Sequence, residues 1–168
     1  SLHDALPIST SSPASFVLAR SEGVLAQNVC HLLGALLGPG GRVSDPKVLE
    51  SVLVFAVTWA VGGALETGER ARFDRVIKDV AAWPGADVGE NFERSVGPGQ
   101  LPDRGTVFDF CFDTDAFRWR AWRTMVSPYA PPSDGRYSGV LVPTADTVRT
   151  LHLVGCLADA RRPVMLVG

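Results

Sequence analysis

Apolar residues recur at steps of three and four through Val24, Leu25, Val29, Leu32, Leu33, Leu36 and Leu37, which predicts an amphipathic helix over Val24–Leu37. Gly38-Pro39-Gly40-Gly41 then stops it, as a C-terminal glycine followed by proline does. The next helix has a marked start: Asp45 can cap it, and Pro46 suits the first helical position, where its missing N–H costs nothing. Val48, Leu49, Val52, Leu53, Phe55, Ala56, Val57, Trp59, Ala60 and Val61 follow, apolar on nearly every side. Such a helix is expected to be buried on several sides. Each large side chain gains roughly 1.5–3 kcal/mol on full burial, so more cover is expected than one short stretch provides. Gly62-Gly63 closes it, and Glu69–Ala82 reads as a third helix with Phe73, Val76, Ile77 and Val80 on one face and charges opposite. Trp83-Pro84-Gly85 ends that helix, and residues 84–104 read as a loop longer than compact domains usually contain.

Beyond the loop the period changes to two. Thr106–Asp113 alternates Val107, Asp109, Cys111 and Asp113 with Phe108, Phe110 and Phe112, which predicts a strand with one aromatic face. Ala116–Met125 is expected to form a short helix presenting Phe117, Trp119 and Trp122. A proline-rich loop, Ser127–Gly135, leads to an extended run, Tyr137–Val142. Thr144 can cap a last helix with Asp146 in its first turn, and Val148, Leu151, Val154, Gly155, Leu157 and Ala158 are expected to form its inner face. Pro163–Val167 reads as a buried strand ending at Gly168. The prediction is a mainly α fold with short β: a helical group over 24–82, a loop-rich connector, and a detached helix–strand unit of α/β type.

Composition narrows the function. The hydrophobic fraction of 46% and charged fraction of 20% are those of a folded globular chain, and the net charge of −2 argues against nucleic acid or an anionic membrane as partner. Arg118, Arg120 and Arg123 interleave with Trp119 and Trp122, a pattern compatible with base stacking; two Trp packing one face of a short helix is the favoured alternative. Val48–Val61, at 14 residues and interrupted by Glu50 and Ser51, is too short for a membrane span. The three cysteines, Cys30, Cys111 and Cys156, lie far apart without CxxC or Cys/His ligand spacing, so buried or half-buried reduced thiols are expected. His3, His31 and His152 are isolated, and Asp109 and Asp113 read as solvent-facing strand positions in preference to a carboxylate pair. Ser1–Thr10 resembles translated sequencing-adapter read-through, and residues 1–12 are set aside as a non-native segment.

The sharpest local signal is the strand ending in Gly168, because a phosphate-binding loop, G-x-x-x-x-G-K-[ST], follows a strand and cradles phosphate on its backbone N–H groups. Four longer stretches resemble dynein heavy chains. VFAVTWAVGGALETGERARFD (54–74) resembles the helical segment after the second AAA module, with its F-x-x-x-W-x-x-GG pattern followed by R-x-x-F. LPDRGTVFDFCFD with Trp119 and Trp122 is similar to the family's V/I-[FY]-D-[FY] strand and following tryptophan. LVPTADTVR (141–149) resembles the lead into the third module, and RRPVMLVG (161–168) the strand before its phosphate loop. VCHLLGALL and RPVMLVG look most similar to the beta-type chains of ciliary outer arms.

The resemblance implies a segment of an ATP-driven, minus-end-directed microtubule motor of the axoneme. It divides the chain into the helical AAA+ C-terminal part of module two (13–87), a connector (88–140) and the start of module three (141–168). It implies that Val142, Pro143 and Thr144 run beside the adenine of the third ATP/ADP–Mg²⁺ site and that Gly168 opens its phosphate loop. The implied partners are the neighbouring AAA+ modules and, through the parent chain, intermediate and light chains and microtubules. No nucleotide is expected to bind this segment alone, and none of its residues is expected to be catalytic. A P-loop NTPase of another family and a non-enzymatic helical interaction module stand as the alternatives.

Overall fold

The computed structural model describes residues 14–17, 20–38, 43–81, 96–129 and 142–164. Its elements are α1 (Glu22–Leu37), α2 (Pro46–Ala60), a 3₁₀ turn (Gly62–Ala64), α3 (Thr67–Ala81), a second 3₁₀ turn (Val107–Asp109), β1 (Phe110–Asp113), β2 (Arg118–Ala121), a third 3₁₀ turn (Trp122–Met125) and α4 (Ala145–Asp159). The fold is mainly helical with a small two-stranded sheet, as the sequence pattern predicts.

α1 starts two residues before its apolar period, because Ser21 caps it by accepting the Val24 N–H. Gly38, at φ 67°, closes it with its N–H on the Gly34 carbonyl. Asp45 caps α2 by accepting the Lys47 N–H at 2.9 Å, and Pro46 occupies the first turn as its fixed φ favours. α2 is the core helix: Val52, Phe55 and Ala56 are 0% exposed and Val48 is 3% exposed. Its cover comes from α1, the hairpin and the turn before it, so the chain itself buries most of the helix. The expectation of burial on nearly every side is corrected on one edge, where Leu49 and Leu53 are 37% and 44% exposed. Pro46–Ala64, α2 with its 3₁₀ turn, is 19 residues and long and apolar enough to cross a membrane by length and composition alone. Its buried stripe is already committed to aromatic and aliphatic partners in this core.

Ser51, a polar break in the apolar run, is fully buried and satisfied on both sides. Its hydroxyl donates to the Lys47 carbonyl at 2.8 Å and accepts the Gly99 N–H at 3.0 Å, tying α2 to the long loop. That loop is less loose than its composition implies. Val96 and Trp119 exchange backbone hydrogen bonds at 2.6 and 3.1 Å, and Leu101 is 4% exposed. Residues 96–122 therefore share one hydrophobic cluster with α2. Residues 82–95 lie outside the described ones.

Two expectations for the region after the loop are corrected. Thr106–Asp113 is not one strand: Thr106 and Asp109 close a reciprocal capping box around the 3₁₀ turn, and only Phe110–Asp113 is extended. Asp74 of α3 holds that turn by accepting the Val107 N–H at 2.7 Å, while Lys78 bonds both Asp74 and the Gly105 carbonyl. Ala116–Met125 is not a helix, because residues 118–121 complete an antiparallel hairpin with Phe110 opposite Ala121 and Asp113 opposite Arg118. A helix would have lost that pairing. Both faces of β1 are buried over Phe110–Phe112, with Cys111 at 1% exposure, so β1 has no solvent face until Asp113. Phe117 sits in the turn at φ 50° and is 45% exposed, so it anchors nothing. Trp119 and Trp122, at 1% and 2%, are core residues, which leaves no surface for base stacking.

The helix after Thr144 is present, but it is not detached. α4 packs against α1 and the third 3₁₀ turn, with Val148 and Leu153 on the common core. It is also rotated from the expected face: Leu151 is 62% exposed, and Arg149, His152 and Leu153 turn inward in its place. The physical reason is that aromatic rings are available on that side to receive a guanidinium and an imidazole. Residues 130–141, including most of the predicted extended run, and residues 165–168, the end of the predicted terminal strand with Gly168, lie outside the described ones.

Candidate functional site

The residues singled out from sequence stand at the N-terminus of α4. Val142 is 50% exposed, Pro143 is half-buried and Thr144 is exposed. Thr144 accepts the Thr147 N–H at 3.2 Å, and Thr147 Oγ1 accepts the Thr144 N–H at 2.7 Å, a reciprocal cap that fixes where the extended segment turns into helix. Gly168 lies outside the described residues. The sequence contains no complete G-x-x-x-x-G-K-[ST], so the residues present fit at most one edge of a nucleotide site.

What the structure assembles is a junction between the hairpin and α4. The His152 ring lies 5.4 Å from the Trp122 ring and 6.3 Å from that of Phe55, both edge-on. Its Nε2 is 3.6 Å from the sulfurs of both Cys111 on β1 and Cys156 on α4. One turn earlier, the Arg149 guanidinium stacks 5.1 Å over Trp59 while pairing with Asp146. Trp59 in turn meets Phe108 and Trp122 edge-on at 5.7 and 6.2 Å. Arg149, His152 and Cys156 are spaced at three and four, so one face of α4 carries all three.

The electrostatics of the junction favour neutral groups. Burial pushes the Cys111 thiol up to about 12, helped by Cys156 and Asp113 nearby. Burial also raises Cys156 and lowers His152, the latter opposed by Asp113. A protonated, buried thiol is a poor nucleophile, and an imidazole held neutral fits the aromatic cage better than its cation does. Asp113 is engaged in the hairpin turn. The N–H groups of Ala116 and Asp115 and the Arg120 guanidinium at 3.2 Å hold its carboxyl below the usual range and shape that turn. Asp109 is spent on its capping box, so neither carboxylate serves as half of an acid–base pair. Among the described residues no group of three or more His, Cys, Asp or Glu is placed to hold a metal ion. Of the thiols, Cys111 is buried and Cys156 half-buried as expected, but Cys30 is exposed; all three are free.

His152 is the residue that reading the sequence undervalued. It stands isolated along the chain because its partners, Cys111 and Trp122, come from a hairpin that the sequence pattern renders partly as helix. Only its helical spacing to Arg149 and Cys156 is visible there.

Comparison with known proteins places these elements. Residues 11–124 match the family model described as the dynein heavy chain AAA lid domain. The chain is 38% identical over 144 residues to the dynein-1-alpha heavy chain of the flagellar inner arm I1 complex of Chlamydomonas reinhardtii, covering 83% of this chain and 3% of that one. It is 31% identical to human dynein axonemal heavy chain 10 across 90% of its length, and 31% identical to the ciliary dynein beta chain of Heliocidaris crassispina across 88%, again 3% of each relative.

Proposed function

The chain belongs to the dynein heavy chain family, and from that membership we propose that it is a ring segment of an ATP-driven, minus-end-directed microtubule motor of the cilium or flagellum. It spans about 3% of the relatives' length, so its work is that of a part. In this reading residues 13–87 are the helical part of the second AAA module, 88–140 the connector, and 141–168 the start of the third. Val142, Pro143 and Thr144 run beside the adenine of the third site, and Gly168 opens its phosphate loop. ATP or ADP with Mg²⁺ would be held mainly by residues beyond this segment, which contributes one edge of the site. Neighbouring modules are its direct partners; microtubules and the intermediate and light chains are partners of the parent chain.

One observation carries the proposal: the helix leading to the third module is seated in the core of the second through His152, Trp122 and Leu153. The boundary between modules therefore runs through packed side chains, and a displacement of one is carried to the other. This replaces the expectation of a detached unit and gives the segment a role as a mechanical coupler. The family match also removes the support for a P-loop NTPase of another family.

The test uses the full-length heavy chain. Adsorbed to glass, it is expected to drive microtubules with their plus ends leading when ATP is added. Absence of ATP-dependent gliding defeats the motor assignment. Leu153→Asp, which puts a charge into the α4 contact, is expected to uncouple ATP turnover from gliding; unchanged velocity defeats the coupling role.

A further inference from the structure

A cleft of about 570 Å³ opens between α1, the end of α2, α3 and α4, away from the Val142–Thr144 segment. Arg20, Arg70, Arg149 and Arg162 all line it, together with His31, and its described lining contains no Asp or Glu. Arg149 has Asp146 as partner, whereas Arg20, Arg70 and Arg162 have no ion pair among the described residues. Two of the guanidiniums are held in place by rings: Arg149 over Trp59 at 5.1 Å and Arg70 over Phe108 at 5.4 Å. Stacking fixes the plane and leaves the N–H edges free to donate. Arg20 Nε, Arg70 Nε and Trp59 Nε1 are buried without a protein partner among the described residues, and all three residues line this cleft.

Like charges gathered in one cleft repel, and buried donors left unpaired cost free energy. An anion relieves both penalties at once. The rest of the wall is apolar, with Leu32, Ala60, Leu153 and Leu157. A bare phosphate would leave that half uncovered. We propose that the cleft seats an acidic and partly apolar polypeptide segment of the same heavy chain, its carboxylates on the arginines and its apolar side chains on the leucines. The same polypeptide is the source because Pro163 and Val164 form one wall of the cleft, so sequence following them is tethered at its mouth. This rests on the reading of the chain as part of a longer heavy chain.

The test places a photo-crosslinking benzophenone amino acid at Thr150, an exposed residue of the cleft wall, in the full-length heavy chain. Mass spectrometry is expected to map the cross-link to one Asp/Glu-bearing stretch of that same chain. Arg162→Gln, at the exposed rim, is expected to reduce the cross-link several-fold, with Arg72→Gln, which lies outside the cleft, leaving it unchanged. A cross-link to another polypeptide, one to a stretch without carboxylates, or none in a chain that hydrolyses ATP overturns the proposal. So does saturable pyrophosphate binding that Arg162→Gln abolishes without any peptide cross-link. Gliding measured on the same preparation separates the outcomes: motility without the cross-link defeats this cleft assignment and leaves the motor reading standing.

Discussion

Gly62 shows how much a single position decides. A Cβ built there would come within 2.6 Å of Phe73 Cε1 and 2.9 Å of Phe108 Cζ, where ordinary contacts begin near 3.4 Å. The missing side chain is what lets the end of α2 meet α3 and the Val107–Asp109 turn, and the Phe73 and Phe108 rings themselves meet at 5.7 Å. Gly62→Ala is therefore expected to destabilise the chain by roughly 1–3 kcal/mol, the usual range for overpacking a filled core. Urea unfolding checks it: an unchanged midpoint would mean the two rings give way freely. Gly63 is the control, since its nearest contact is 3.4 Å, and Gly63→Ala is expected to move the midpoint much less. Two glycines that read from sequence as a single helix stop thus have different physical duties.

At the scale of elements, the seating of α4 depends on proton occupancy. Burial lowers the His152 pKa below the 6.5 of a free imidazole, with Asp113 pulling the other way and the neutral thiols of Cys111 and Cys156 on its ring nitrogen. Between the folded value and 6.5 the unfolded chain binds a proton that the folded chain refuses. This contribution to stability is complete above about pH 6.5 and declines as pH falls from there toward the folded value. Asp113 adds a second decline, below its own depressed pKa and therefore beneath pH 3.8, so the two windows separate. His152→Phe keeps a ring against Trp122 and Phe55 and is expected to flatten the upper slope alone. Urea midpoints measured between about pH 7.5 and 5.5 decide it; equal slopes in both chains would show that another group carries the effect. The helices were legible in the sequence because each is long, periodic and capped by its own residues: Asp45-Pro46 and Thr144 act locally. The hairpin was not. Residues 118–121 are extended only because β1 lies beside them, and residues 107–109 curl because Asp74, from α3, holds the Val107 N–H. Such partners arrive from elsewhere in the chain, and no local pattern announces them. The same limit hid His152 and the arginine cleft, which exist only once α1, α3 and α4 are brought together.

For the molecule as a whole, the question is whether α4 behaves as part of the lid core or as the first piece of something else. The shared core gives a definite answer. Phe55, Trp122 and His152 form one aromatic contact between α2, the hairpin and α4, and Val148 and Leu153 pack on the same cluster. Releasing α4 would expose Trp122 and Cys111, now 2% and 1% exposed, together with its own apolar face. Burial of each large side chain is worth roughly 1.5–3 kcal/mol, so opening α4 alone would consume much of the roughly 5–15 kcal/mol that holds a domain folded. Local opening that costly differs little from global unfolding. The backbone amides of the inner α4 turns, near His152 and Leu153, are therefore expected to exchange with deuterium at the same limiting rate as those of α2 near Phe55. Trp122→Ala, which typically costs about 3–5 kcal/mol in a filled core, is expected to accelerate both sets together. Exchange of α4 several orders of magnitude faster than α2 in the unaltered chain would restore the detached unit that the sequence alone implied. Joint exchange would mean that the second and third modules of the parent ring meet in one cooperative unit, and that relative motion between modules must be taken up elsewhere.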